Sequence, residues 1–251
     1  MVRGTLPFRW RNLILPDGAM ELILNLGDPQ KLCHSPTTGA HTIFKRSWIS
    51  GERFAPIVVE ETGFIHLIGI RFKPGGAHPF FRLPLSELAG RVVELEAVWG
   101  AESEDLREQL AAAADDQAVF TRLEQWLRQK LAGREIPNRS VAFALDRIKN
   151  GGPGVRIGEI VEATGISHKQ LLREFDRRVG LPPKLFARIH AFQDAITWIG
   201  HKPAVDWADV AAACGYYDQA HFIHEFRAFT GLTPSAYMGR RGPFLNYLTV
   251  D

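Results

Sequence analysis

The sequence contains only two cysteines, Cys33 and Cys214, among its 251 residues. They lie far apart and in different contexts, so they cannot build a disulfide framework or a cysteine-rich zinc site. Cys214 falls on the apolar side of a predicted helix, where a buried free thiol is the usual state. The cysteine content therefore predicts a protein of a reducing compartment, and we expect it in the cytoplasm.

Long apolar runs are missing as well. No stretch approaches the ~20 residues that a membrane-spanning helix needs. The N-terminal region has arginines but no continuous apolar core of a signal peptide. We therefore expect no membrane association. Hydrophobic residues make up 45% and charged residues 23% of the chain, which is ordinary for a globular protein of one large domain or two smaller ones.

Motifs of the common enzyme classes do not occur. The chain has no GxSxG, no Walker loop and no GxGxxG. Its front histidines form no HxH or HxxxH pair; they are His34, His41, His66 and His78. A metal site would need ligands within ~2.0–2.1 Å of the ion, which only residues distant in sequence could supply. We predict that the protein is not an enzyme and holds no cofactor and no metal.

Residues 1–100 carry the signals of β-structure. Short apolar runs are separated by turn residues and lie at 12–16, 21–26, 42–50, 56–61 and 64–72. A turn at Thr62 and Gly63 is expected between the last two, and a long hairpin loop over 30–41. Short strands without intervening helices are typical of an antiparallel barrel or sandwich. We predict an α+β chain whose N-terminal domain is a β-barrel or sandwich-like sensor.

A helical linker is expected over residues 101–135. Its better helix, 115–131, has one apolar stripe that includes Val119, Leu123 and Trp126. The stripe either packs on the β domain or meets a second copy in a homodimer, and both interpretations stay open. Glycine and proline then mark a domain boundary near residue 136.

Residues 136–241 are predicted to be entirely helical, followed by a C-terminal tail at 242–251. Asp206 is placed to cap a short helix, Gly215 supplies a tight turn, and Asp218 caps a second helix. Phe222, Phe226 and Phe229 form the inward stripe of that second helix. Helix, glycine turn and helix with a polar outer face is the helix-turn-helix layout that fits a DNA major groove. An ordinary helical hairpin has the same periodicity.

A repeat favours the DNA-binding interpretation. Residues 165–183 follow the same order as 215–234: glycine turn, capped helix, inward phenylalanine, and a Gly-Leu-x-Pro ending. In the first copy Ser167 is the cap, and Leu171, Phe175 and Val179 are the inward residues. The chain is thus predicted to have seven helices here, with two helix-turn-helix units joined by a long helix that starts at Pro183.

The charge distribution is uneven between the two units. Residues 166–190 hold six basic and two acidic side chains, although the net charge of the whole chain is only +2. Residues 206–241 hold four acids against three bases. A basic surface suits a polyanion such as DNA, so the first unit is expected to bind DNA phosphates more strongly than the second unit.

These motifs resemble the AraC-type transcriptional regulators. The matching residues are LLREF at 171–175 with Gly180 and Pro183, AAACGYYD at 211–218, and GLTPSAY at 231–237. LPDG at 15–18 and GIRFKPGG at 69–76 are similar to the sensor domain of a less characterised branch. The resemblance implies a bacterial regulator in which both second helices enter adjacent segments of the major groove.

Carried over by position, the resemblance implies which side chains contact DNA. Arg173 is the first candidate because a guanidinium can bind guanine O6 and N7 together, whereas Leu172 replaces a residue that is often polar in the family. The full set of DNA-binding candidates is Ser167, His168, Lys169, Gln170, Leu172, Arg173, Arg177, Gln219, Ala220, His221, His224 and Arg227.

The partners follow from the same interpretation. Double-stranded DNA is the expected partner, with a small-molecule effector, a second copy of the chain and RNA polymerase as further candidates. Candidate effector-binding residues in the N-terminal domain are Trp10, Glu21, His66 and Arg71, for each of which ordinary packing or surface placement is the competing interpretation. Two alternatives stay open: a metal-dependent barrel enzyme fused to a DNA-binding domain, and a dimerising module without effector.

Overall fold

A computed structural model describes residues 1–33, 40–134, 138–151, 154–200 and 202–250. The domain boundary expected near residue 136, the centre of the loop expected over 30–41, and His34 lie outside these residues. The remaining chain forms two hydrophobic cores, one in the N-terminal domain and one that extends through the C-terminal domain.

The N-terminal domain is an antiparallel sheet that nearly closes into a barrel, as predicted. In space its strands run in the order β4-β3-β6-β2-β5-β7, while β1 pairs with both β6 and β8. The strands are β1 (Val2–Ile14), β2 (Glu21–Asn25), β3 (Gln30–Cys33), β4 (His41–Phe44), β5 (Ser47–Ser50), β6 (Ile57–Arg71), β7 (Val92–Glu94) and β8 (Tyr247–Thr249).

The expected turn at Thr62 and Gly63 is wrong, because β6 runs through it without a break. Gly63 has φ +73°, a backbone conformation that glycine adopts without steric cost. It lies where the pairing with β1 shifts from Leu6–Gly63 to Trp10–Glu61. The carboxylate of Asp28 accepts the next N–H, that of Phe64, at 2.7 Å. The glycine therefore accommodates a bulge in the pairing of β1 with β6 rather than a reversal of the chain.

Helices cover one face of the barrel. Two 3-10 turns (His78–Phe80 and Leu85–Glu87) lead to β7 and then to α1 (Glu96–Trp99), α2 (Glu102–Ala111) and α3 (Asp116–Leu131). On α3, Val119 and Leu123 are buried in the same core as Leu22, Leu24 and Ile68 of the sheet. The apolar stripe of α3 therefore packs within the chain, the first of its two open interpretations, while Phe120 and Leu131 stay exposed.

The C-terminal domain contains seven helices in the part of the chain that the structure describes, as expected. They are α4 (Arg139–Gly151), α5 (Ile157–Thr164), α6 (His168–Arg178), α7 (Pro183–Ile199), α8 (Trp207–Ala213), α9 (Gln219–Thr230) and α10 (Pro234–Arg240). The predicted caps form: Ser167 Oγ accepts the N–H of Gln170, and Asp218 Oδ1 accepts that of His221. Gly165 and Gly215 turn the chain before α6 and α9 with φ of +68° and +75°.

The last residues join the two domains. The tail expected at 242–251 instead contains β8, which pairs with β1 from Asn12–Thr249 to Ile14–Tyr247. Leu248 is fully buried, in the same core as Leu15 and the helices of the C-terminal domain. Two amides also exchange hydrogen bonds, since Gln193 and Asn246 each donate to the other at 3.0 Å. The sequence of the last ten residues did not indicate this pairing, because it depends on β1, a partner strand that is distant in the chain.

The contact between the domains buries a carboxyl group. Glu52 is only 4% exposed, and it lies against the turn that follows α6. At Gly180, φ is +84° and a Cβ atom would come within 2.6 Å of Glu52 Oε2. Only glycine suits both the backbone and the space. Desolvation by burial raises the pKa of Glu52 to about 8.

This raised pKa predicts how the stability of the fold depends on pH. The folded chain keeps a proton on Glu52 that the unfolded chain releases above its ordinary pKa of 4.5. Folding stability therefore falls as pH rises from 4.5 to about 8 and levels off above. We expect Glu52→Gln to remove this decline and to be more stable than the wild type at pH 8. Urea denaturation at pH 5 and pH 8 measures both effects.

The control for that experiment is Glu162→Gln, because Glu162 is an exposed acid on α5. It should keep the decline between pH 5 and pH 8. An unchanged decline in Glu52→Gln would contradict the assignment to Glu52.

Candidate nucleic-acid interface

The buried side chains of α6 determine which of its residues face outward. Leu171 and Phe175 are fully buried, and the helical period then turns the intervening positions outward. Every candidate of the first unit is exposed, as the pattern predicts: Ser167, His168, Lys169, Gln170, Leu172, Arg173 and Arg177. These side chains form one surface on the first helix-turn-helix unit.

The second unit repeats this construction on α9. Phe222, Phe226 and Phe229 are buried, with 5.6 Å between the ring centroids of Phe222 and Phe226. The candidates of this unit are again exposed: Gln219, Ala220, His221, His224 and Arg227. The ring of His221 meets Tyr216 edge-on at 5.5 Å, which orients the imidazole at the start of the helix.

Helix α7 holds the second unit through both apolar and charged contacts. Phe192 lies 5.4 Å from Phe226 and 5.1 Å from Phe229 between ring centroids. Arg188 binds Glu225 with two hydrogen bonds of 2.6 and 3.0 Å. Glu225 is buried, so this two-fold bond compensates its desolvation. Because α6 and α9 belong to one continuous core, their outer faces have a defined relative position.

Ion pairs inside the domain reduce the basic surface that the charge count suggested. Arg178 is buried and donates to Glu174 at 2.8 Å, and Arg188 is bound to Glu225. Of the six basic side chains at 166–190, Lys169, Arg173, Arg177 and Lys184 are exposed and suited to DNA, and Arg177 also makes an interaction within the chain. Arg173 has a side chain that is 73% exposed and lies 4.0 Å from Glu174.

Sequence reasoning missed Tyr217. It is 92% exposed, whereas its neighbour Tyr216 is buried. It directly precedes the cap of α9, and its N–H contacts Nδ1 of His221 at 3.4 Å. The signal was available, since two adjacent tyrosines at a turn point in different directions and only one can join the core.

The four candidate effector residues do not meet in one pocket. Glu21 and Arg71 are cross-strand partners joined by a 2.8 Å ion pair, and Arg71 also binds Asp17 at 2.6 Å. Trp10 is exposed on β1, opposite Glu61. His66 is five positions from Arg71 along β6, which places the two side chains on opposite faces of the strand. Only Glu21 and Arg71 are brought together, and they bind each other.

Cavities of different size lie inside the barrel and between the two domains. The barrel interior holds about 120 Å³ and is lined by apolar side chains such as Ile23 and Trp48, together with Glu21. A cleft between the domains holds about 510 Å³. The C-terminal domain contributes several side chains to the lining of this interdomain cleft, among them Leu145, Lys149, Phe186 and His190. Ligand sites for drug-sized molecules measure about 300–1,000 Å³, so the interdomain cleft has the suitable size.

Two further observations concern metal binding and membrane-spanning helices. Among the described residues, no three His, Cys, Asp or Glu side chains are grouped so that they could hold a metal ion. In the same part of the chain, no helix combines the length and the apolar character that crossing a bilayer requires.

A nearly closed barrel followed by two helix-turn-helix units on one core defines a two-domain helix-turn-helix protein. Residues 160–240 match a family model described as a helix-turn-helix domain, and they form an AraC-type domain of this kind. Residues 3–94 match a model described as a domain of unknown function, DUF6597. The predicted AraC-type helix-turn-helix domain is confirmed at residues 160–240. No curated protein matches the chain.

Three solved structures are similar to this chain at low sequence identity. ToxT from Vibrio cholerae bound to (E)-4-(8-methylnaphthalen-1-yl)but-3-enoic acid is 8% identical, with a TM-score of 0.52 over 92% of this chain and 97% of that chain. Another ToxT structure from Vibrio cholerae is 10% identical over the same shares, with a TM-score of 0.49. The xylose-binding transcription activator XylR is 18% identical over 49% of this chain and 37% of its own, with a TM-score of 0.37.

Proposed function

We propose that the protein is a transcription factor that binds specific double-stranded DNA through α6 and α9 and responds to a small molecule. One observation carries the proposal. Two capped helices, each with an exposed polar face, are held by a single core in an AraC-type domain. A helix of this kind fits the major groove, where base edges can be distinguished.

Each unit is proposed to have its own task. On α6, Arg173 binds guanine, Leu172 contacts a thymine methyl group, and Arg177 contacts phosphate. Ser167, His168, Lys169 and Gln170 complete this surface. On α9, Gln219, Ala220, His221, His224 and Arg227 face the next segment of the groove. The first unit has more exposed basic side chains, so it supplies more of the affinity for DNA. The second unit refines which DNA sequence is bound.

Tyr217 extends the surface of the second unit. A tyrosine that is 92% exposed leaves a large apolar ring in water. Beside the start of a groove-reading helix, the ring can pack on a sugar while its hydroxyl donates to a phosphate. We infer that Tyr217 contacts the DNA backbone next to α9.

The effector is proposed to occupy the interdomain cleft rather than the barrel interior. Lys149 offers a nitrogen donor to an acidic group, and so does the Nε2 side of His190, whose Nδ1 faces Asp194. Leu145 and Phe186 offer apolar surface, and the lining also includes the acid Asp146. This pattern suits a small apolar acid. The ToxT structure with the higher TM-score holds such an acid. A ligand bound between the domains can change how the first helix-turn-helix unit is held, because α4 and α7 form one wall of the cleft.

Selection of bound duplexes from a random DNA library tests the DNA-binding part of the proposal. We expect enrichment of a sequence with two blocks of preferred bases, and an affinity that falls steeply with salt. Equal binding of selected and unselected duplexes would contradict sequence-specific recognition. RNA polymerase and a second copy of the chain stay predictions for this regulator, as does its action in the cytoplasm.

A thermal-shift titration tests the effector part, with the acid named above as the probe. We expect a saturable rise in melting temperature that its neutral amide does not produce, and that is smaller in Lys149→Gln. Equal shifts with acid and amide, or an unchanged shift in the variant, would contradict the assigned site.

A further inference from the structure

A second cleft lies beside the C-terminal end of α6. It holds about 350 Å³ and is lined by residues of both domains. The N-terminal domain contributes the segment around Arg82, the end of the helical linker contributes Arg134, and α6 contributes Arg177. Within the described part of the chain, none of the lining residues is acidic. We refer to this site as the arginine cleft.

The arginine cleft adjoins the surface that α6 offers to DNA. Arg177 lies four positions after Arg173, which is about one helical turn, so the two side chains leave the helix on nearly the same face. Both are exposed. The cleft therefore begins where the proposed groove contacts of α6 end, and Arg82 and Arg134 approach it from outside the helix-turn-helix domain.

The two outer arginines are suited to bind an anion. Arg82 is exposed. Arg134 is half-buried, and its Nε–H donates to the Lys130 carbonyl at 3.2 Å. That bond orients the guanidinium and uses one of its five N–H donors. Arg177 makes a further interaction within the chain, which leaves Arg82 and Arg134 as the two residues assigned to the anion. Guanidinium groups around one cleft repel each other, and a phosphate group compensates this repulsion with matching geometry.

We propose that Arg82 and Arg134 contact the DNA phosphate backbone next to the end of α6, so that the N-terminal domain contributes directly to DNA binding. The inference rests on the proposed DNA-binding function. A free phosphate group has the same chemistry, but the position beside Arg177 and Arg173 favours the DNA backbone. In this arrangement, any change in how the domains are held also changes the phosphate contacts, which links the N-terminal domain to DNA affinity.

The test uses the full chain and the duplex obtained by selection. We expect Arg82→Gln with Arg134→Gln to weaken binding at all sequences alike and to reduce the slope of log affinity against log salt by about 2, roughly one per phosphate contact. The preferred bases should not change, because phosphate contacts carry no sequence information. The matched control is Arg122→Gln with Arg128→Gln, which removes the same charge from exposed positions on α3 and should leave the slope unchanged.

Three results would be decisive against the inference or against its basis. Equal slopes for the two double variants, with a wild type that binds its selected duplex, would show that only the arginine cleft is misassigned. No sequence-selective binding by the wild type would instead overturn the proposed function. Calorimetry with inorganic pyrophosphate provides the third arm. The double variant could lose pyrophosphate binding while the slope of its log DNA affinity against log salt stays equal to that of the wild type. This result would identify a site for small anions and overturn the DNA contact.

Loss of folding is controlled separately. Arg134 has a structural hydrogen bond, whereas Arg82 is exposed, so Arg82→Gln alone should fold normally and still reduce the slope by about 1. A single variant that melts like the wild type and shows no change in slope would also contradict the proposal.

Discussion

Replacing Arg173 by alanine is expected to weaken binding to the selected duplex by about 5- to 150-fold, which corresponds to ~1–3 kcal/mol. The side chain is largely exposed on the outer face of α6, opposite the buried Leu171 and Phe175. The guanidinium of the wild type binds guanine at two atoms, and the alanine variant lacks both of these hydrogen bonds. The preference at one base pair should relax at the same time. Binding curves on the selected duplex and on its single-base variants measure both effects.

Arg173→Lys separates the base contact from the charge. Lysine keeps the positive charge but lacks the planar pair of donors. We expect it to retain the salt dependence of the wild type and to lose most of the base preference. An equal loss of affinity on every duplex in Arg173→Ala with a lower salt slope, together with an unchanged base preference in Arg173→Lys, would show that Arg173 contacts phosphate only.

Replacing Leu248 by alanine is expected to lower the free energy of unfolding by about 2–5 kcal/mol, the usual cost of truncating a fully buried leucine. Leu248 lies on β8, has no exposed surface, and packs in the core that includes the helix-turn-helix units. Its loss leaves a cavity between the barrel and the C-terminal domain. Urea denaturation followed by circular dichroism measures the change.

Thr249→Ala is the matched control for this prediction. Thr249 is the next residue on β8 and is exposed, and surface substitutions of this kind usually change stability by less than about 0.5 kcal/mol. Because the core is shared, we also expect Leu248→Ala to unfold in a single transition. A small loss equal to that of Thr249→Ala would contradict the central position of Leu248 in the core.

Both predictions depend on features that the sequence made visible to different degrees. The outward position of Arg173 was predicted, because a cap at Ser167 and apolar residues at spacing four define a helix and its buried face over residues 167–179. The burial of Leu248 was not predictable. Residues 242–251 have no periodic pattern of their own, and β8 exists because β1 offers it a free edge.

The charged residues show the same contrast. The sequence marks 166–190 as basic, but it does not show that Arg178 binds Glu174 and Arg188 binds Glu225. The second pair joins residues on different helices, and its geometry exists only once α7 and α9 pack together. The arginine cleft was likewise invisible, because Arg82, Arg134 and Arg177 come from three separate regions of the chain.

The sequence by itself determined the fold class, the two helix-turn-helix units, their caps and the side chains they expose. These depend on local periodicity and on turn chemistry, which act over a few residues. Only the tertiary structure decided the bulge at Gly63, the strand made by the last residues, the cleft between the domains and the separation of the four candidate effector residues. Each of these follows from contacts between distant segments, whose free energy is set by burial and strand pairing after the chain has folded.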